Sequence, residues 1–146
     1  MLVLIGRRDW VYYLRWDFDC GNQVTKAVRI SRLKKALDKQ WSIRVRQRDG
    51  ICQMCEVPGK TLHAHHWHQQ KARSLTLRWD TDNGVALCYW CHFFHVHTFS
   101  VHATLGPFFQ KMTARFNVAA MDAKPALECT EENLLERLSE LRYEAG

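Results

Sequence analysis

No stretch of this chain approaches the ~18 consecutive apolar residues of a membrane-spanning helix. Residues 1–5 are apolar, but a signal-peptide core needs ~7–15 such residues, and Arg7-Arg8 follow that stretch instead of preceding it. Internal repeats and low-complexity tracts are also missing, which sets aside stacked-repeat and tail-like architectures. Acidic residues are scarce in one segment: across residues 26–48, Asp38 alone faces nine basic side chains. These absences point to a protein with no membrane association and a cytoplasmic, reducing location. In that setting paired cysteines read as metal ligands, not as disulfides.

The chain has 146 residues, 47% hydrophobic and 25% charged, the composition of a soluble globular domain. The net charge of +6 is unevenly spread. Residues 26–48 hold the basic run, whereas residues 117–146 carry seven acidic residues against three basic. A polyanion suits the basic run, and nucleic acid is the leading candidate, with Lys34, Lys35, Lys39, Arg44 and Arg48 as contact residues. The competing account is a solvated helix face.

The six cysteines carry the strongest signal. Cys52/Cys55 and Cys88/Cys91 form two C-x-x-C pairs, 32 residues apart. Two such turns can aim four thiolates at one point, the closed tetrahedral geometry of structural zinc. That separation is too long for a minimal finger, so the metal would staple the ends of an inserted unit. A zinc site contributes folding free energy directly, so a modest apolar core suffices. Cys20 and Cys129 are left over and read as free, partly buried thiols.

Residues 3–18 read as strands and residues 19–22 as a turn. Ser31 is a candidate cap for a helix over residues 32–39. A second short helix is expected over residues 41–49, closed by Gly50. Residues 61–67 read as a strand delivering His65 and His66, residues 69–74 as a loop and residues 75–79 as an extended piece. A turn at 80–84 leads into a short strand at 85–87. Residues 89–99 read as a helix with His92 and His95. A helix over 108–118 has Phe108, Met112 and Phe116 at core spacing. Residues 119–129 read as a linker. Thr130 caps a final helix over 131–143, whose apolar face Leu134, Leu135, Leu138 and Leu141 is expected to pack on the domain. The chain is expected to be a monomer or a weak homodimer.

The histidines suggest hydrolysis of a phosphodiester. That reaction needs an activated water and charge neutralisation at the phosphate. Successive residues on a strand face opposite ways, so His65 and His66 can serve a metal and a water separately. Asn83, in a turn, is suited to orienting a histidine ring, and His92 to a second metal contact. His63 alternates with His65 and can share its face. His68, His95, His97 and His102 read as surface residues, with His95 the best placed beside His92.

The motif string Arg48-Asp49-Gly50, Cys52-x-x-Cys55, Leu62-x-Ala64-His65-His66, Asp82-Asn83-Gly84-Val85 and Leu87-Cys88-x-x-Cys91-His92 resembles the HNH endonucleases, the His-Me finger group. The resemblance spans residues 41–97. It implies an α+β fold: a ββα-metal unit stapled by a four-cysteine zinc site, with N-terminal strands and a basic helix before it and C-terminal helices after it. The corresponding division is 1–40, 41–105 and 106–146. By this resemblance His66 is the general base and Asn83 orients it. His65 and His92 hold a catalytic divalent ion, magnesium or manganese, and the cysteines match the zinc-stapled branch. The family's proline after the histidines is replaced by Trp67-His68-Gln69. The stretch Leu77-Arg78-Trp79-Asp80 and the Phe-rich tail look like phage-encoded members, which would act in a host cytoplasm. The implied activity is metal-dependent DNA cleavage. The alternatives are a non-catalytic zinc module that binds nucleic acid and, more remotely, a redox or metal-handling protein without the expected βαβ context.

Overall fold

A computed structural model describes residues 24–68, 74–98 and 106–143, apart from the side chains of His95, His97, Thr98 and Phe109. The strands expected at residues 3–18, the turn at 19–22, Cys20, His102 and most of the loop at 69–74 lie outside the described residues.

Helix α1 (Lys26–Asp49) is one unbroken element where the sequence suggested two. Its 24 residues contain no glycine or proline, and Leu33, Leu37, Trp41 and Val45 recur every four residues as a single buried stripe. Ser31 lies inside the helix; Thr25 occupies the N-cap position. At the other end Arg46 and Arg48 suit the negative end of the helix dipole. Gly50 takes φ +68° and returns its N–H to the Arg46 carbonyl, a left-handed cap that a side chain would strain.

Strands β1 (Leu62–His66) and β2 (Gly84–Cys88) form a two-stranded antiparallel sheet, with His65 opposite Val85 and His66 opposite Gly84. Between them lie α2 (Leu75–Arg78) and a 3₁₀ turn (Thr81–Asn83). The alternation Leu-Thr-Leu-Arg-Trp suggested extended chain at α2. The Ser74 side chain instead accepts from the Leu77 N–H and starts a helical turn. Burial of Leu77 and Trp79 holds that turn in place.

After β2 comes a π-helix (Cys91–Thr98), then α3 (Gly106–Arg115), α4 (Val118–Asp122) and α5 (Glu131–Tyr143). The linker expected at 119–129 is partly helical, because Asn117 accepts from the Ala120 N–H and Met121 is buried. Thr130 caps α5 through the Asn133 N–H, as its position suggested.

Every residue of β2 is buried, because helices cover both of its faces. On one side Ala86 joins the α1 stripe, Trp79 and α5 residues Leu134, Leu138 and Leu141. On the other, Val85 and Leu87 join Phe108, Met112, Phe116 and Met121 around the cysteines. Polar ties reinforce the first layer: Asp38 accepts from Arg78 Nε and Nη2 and from Trp79 Nε1, each at 2.9 Å. The result is a mixed helix–sheet, α+β-like molecule. Among the described residues no helix is long and apolar enough to cross a membrane.

Candidate metal centre and histidine cluster

Gly50 turns the chain at the end of α1 and starts the first cysteine knuckle. The Gln53 N–H reaches the Ala86 carbonyl and ties that knuckle to β2. Cys88 ends β2 and Cys91 begins the π-helix, so sheet and helix together aim the second pair. The four sulfurs lie within 4.8 Å of one another, with Cys55 and Cys88 at 3.9 Å. Four thiolates at ~2.3 Å from one tetrahedral zinc stand about 3.8 Å apart, so the donor set fits. Burial raises the Cys52 thiol, but the backbone N–H groups of Cys55, Cys88 and Met54 outweigh it and bring it to about 7. Cys91 moves the other way: burial, its bond to Cys88 and the charge on Cys52 all push it up. A negative charge is thus favoured in the cluster, and further negative charges there repel unless a cation shares them. This cluster can hold a metal ion and is compatible with structural zinc. Cys129 is a free, partly buried thiol.

Strand alternation separates the two adjacent histidines. His66 faces α1, where its ring stacks on Trp41 at 4.0 Å with planes 8° apart. The indole N–H of Trp41 is itself fixed to the Asp80 carbonyl at 2.8 Å. His66 Nε2 lies 2.8 Å from the carbonyl oxygen of Arg78. A carbonyl only accepts, so Nε2 carries a proton, and in the neutral ring the lone pair is then on Nδ1.

His65 faces the other way. Its Nδ1 lies 3.1 Å from His92 Nε2, on the π-helix. Two nitrogens bound to one ion at ~2.0–2.1 Å stand about 3.0–3.4 Å apart, so this separation suits a shared ion as well as a hydrogen bond. His63 shares the face of His65, and its ring stacks beside His92 at 5.7 Å.

Asn83 is fully buried. Its side-chain oxygen accepts from the His68 N–H at 2.8 Å, and its amide donates to the Leu77 carbonyl at 3.0 Å. Its own carbonyl accepts from the Trp67 N–H at 2.9 Å. These bonds pin the chain leaving β1 to the chain entering β2. His68 also meets Asp122 at 2.8 Å, on the surface.

Of the basic residues singled out in the sequence, Lys35 and Lys39 are exposed on α1 and Lys34 is half-buried at its flank. Arg32 is exposed beside them. Arg44 and Arg48 have internal bonds. Arg44 donates to the Leu141 carbonyl near the end of α5. Arg48 donates to the carbonyls of Thr81 and Gly84 and pairs with Asp49. The Asp49 side chain is almost wholly buried and also meets Arg115 and the Ala86 N–H. Burial raises its pKa, but Arg48, Arg115 and the Ala86 amide outweigh it and hold Asp49 below the usual carboxylate range.

Trp41, Arg115 and the Arg78 carbonyl belong to this region without having been singled out in the sequence. Trp41 read only as an apolar helix position, and a backbone carbonyl has no residue-type signal. Comparison with known proteins adds nothing to the geometry: no family model, no curated protein and no solved structure matches the chain.

Proposed function

We propose that the chain is a metal-dependent endonuclease of the HNH, His-Me finger type, acting on DNA through the β1–β2–π-helix unit. The observation that carries this is the pairing of two histidine environments on one short strand. His66 is held with its proton on Nε2 by the Arg78 carbonyl, and His65 meets His92 on the opposite face. A neutral imidazole oriented this way is suited to taking a proton. His66 Nδ1 accepts the proton of a water whose oxygen bonds to phosphorus as the bond to the leaving oxygen breaks. Trp41 and Arg78 keep the ring in that orientation. His65 and His92 are the residues that would hold a magnesium or manganese ion. When bound, such an ion supplies positive charge to the phosphate and leaving oxygens. In this reading the four cysteines staple the unit with zinc and take no part in the chemistry. The ring nitrogen that the resemblance assigns to Asn83 lies against the Arg78 carbonyl, and Asn83 fixes the chain after the base through the Trp67 and His68 N–H groups.

The test is conversion of supercoiled plasmid to nicked or linear form. Cleavage should require added magnesium or manganese. Brief chelation should stop it while the protein keeps its zinc, and returning the metal should restore it. Isothermal titration of manganese into zinc-loaded protein gives a readout independent of activity. Binding should be present in wild type and lost in the His65→Ala, His92→Ala double variant.

A further inference from the structure

Tyr89 and Trp90 are the two residues between Cys88 and Cys91, and Phe93 follows His92. They are 56%, 57% and 42% exposed. Large aromatic surfaces left in water together mark a place where something docks. Tyr89 and Phe93 lie 4.8 Å apart, and Trp90 stacks on Phe94 at 4.1 Å with planes 24° apart. The group runs into the histidine cluster. His63 lies 6.0 Å from the rings of both Tyr89 and Phe93 and 5.7 Å from His92. The aromatic group therefore ends where His65 and His92 meet.

We propose that Tyr89, Trp90 and Phe93 form a stacking shelf for unpaired nucleobases, so that the substrate is DNA with single-stranded character at the point of cleavage. This rests on the nuclease reading above. A second copy of the chain is a poor occupant. Three partly exposed aromatic side chains offer at most about 400 Å², whereas a stable interface buries ~800 Å² per partner. A base needs only one ring face. The molecule's net charge of +6 and the exposed Arg32, Lys35 and Lys39 favour a ligand that is a polyanion. Bases inside a duplex are stacked on one another and present only their edges, so an exposed protein ring stacks most readily on bases that are unpaired. Such a shelf tolerates any sequence, because every base has a π-face.

The experiment uses a fluorescein-labelled twelve-nucleotide oligo(dT) and a blunt mixed-sequence duplex, with zinc-loaded full-length protein and no other divalent ion. Trp90→Ala and Tyr89→Ala should each weaken oligo(dT) binding about 5- to 150-fold and change duplex affinity far less. Trp90→Phe should retain most of the affinity, and zinc content reports that each variant is folded. The same proteins are then given magnesium with flap and fully paired DNA. Wild type should prefer the flap, and the alanine variants should lose that preference. If zinc-loaded alanine variants bind oligo(dT) as wild type does, the shelf is overturned, whether or not cleavage occurs. If wild type instead self-associates and Trp90→Ala makes it monomeric without changing oligo(dT) affinity, the patch is a protein interface and the shelf is again overturned. If the variants lose oligo(dT) but wild type cuts nothing, the shelf stands and the nuclease reading falls.

Discussion

His66 is held by two neighbours that constrain it differently: the Arg78 carbonyl fixes where its proton sits, and the Trp41 ring fixes its plane. That stack exists only because β2 approaches α1 closely at Gly84, opposite His66. A Cβ at Gly84 would lie 2.3 Å from Val45 Cγ2 and 3.0 Å from Trp41 Cζ2. Gly84→Ala should therefore destabilise the fold by about 1–3 kcal/mol, the usual cost of overpacking. Adding Val45→Ala should recover part of that loss, and urea unfolding of the single and double variants checks both. Asp49 makes a second residue-scale prediction. Its folded pKa is depressed, so its contribution to stability is present above the ordinary value of 3.8 and is lost as pH falls through the lower folded value. Asp49→Asn should cost about 2–4 kcal/mol at neutral pH. That deficit should shrink as pH falls below about 4, where the unfolded wild-type chain takes up a proton at Asp49 before the folded chain does. Unfolding free energies of both proteins between about pH 6 and about pH 2 measure this, and acid loss of metal from the cysteines acts on both alike.

Among the elements, those with a local chemical signature were legible in the sequence. Gly50 marked the end of α1, the strand expected over residues 61–67 is β1, and Thr130 with Glu131-Glu132 marked the start of α5. The cysteine spacing likewise foretold a cluster that the folded chain brings within 4.8 Å. Elements decided by tertiary burial were not legible. The Leu75–Arg78 segment alternates like a strand, yet the Ser74 cap and buried Leu77 make it a helical turn. Ser31 looked like a cap but lies inside a helix whose apolar stripe runs from Leu33 through Trp41 to Val45. The carbonyl of Arg78 had no signal, since its role depends on where α2 lies relative to β1. The cysteine knuckles join the end of β2 to the π-helix that carries His92, so their loss should be structural. Cys88→Ser should lose stoichiometric metal and unfold at a much lower temperature than wild type, as metal analysis and circular dichroism would report. A Cys88→Ser protein that keeps wild-type stability would remove the staple from the account.

At the scale of the whole molecule, the positive charge divides into two kinds. Arg44 and Arg48 bond to carbonyls that close the fold, while Lys35 and Lys39 point outward from α1. Exposed side chains are the ones suited to touching phosphates, and Arg48 is exposed as well as bonded. Replacing Lys34, Lys35 and Lys39 together by Gln should weaken DNA binding equally on all sequences, because phosphate contacts carry no base information. The slope of log affinity against log salt should fall by about 1.8 if the two exposed lysines each make one duplex contact. Turnover at saturating DNA should fall much less than affinity. An unchanged slope would make this face a solubilising surface only.

Whether His66 acts as a base beside a metal site is decided by single-turnover cleavage with zinc-loaded protein. With magnesium or manganese and excess enzyme, wild type should cut DNA, flap substrates included. His66→Ala should bind with unchanged affinity and cut about 10²- to 10⁴-fold more slowly, the usual loss when a general base is removed. Cleavage by His66→Ala at the wild-type rate would contradict the assignment of the base. Wild-type protein that binds DNA, keeps its zinc and cuts no substrate with either metal would overturn the nuclease reading and leave a nucleic-acid-binding module in its place.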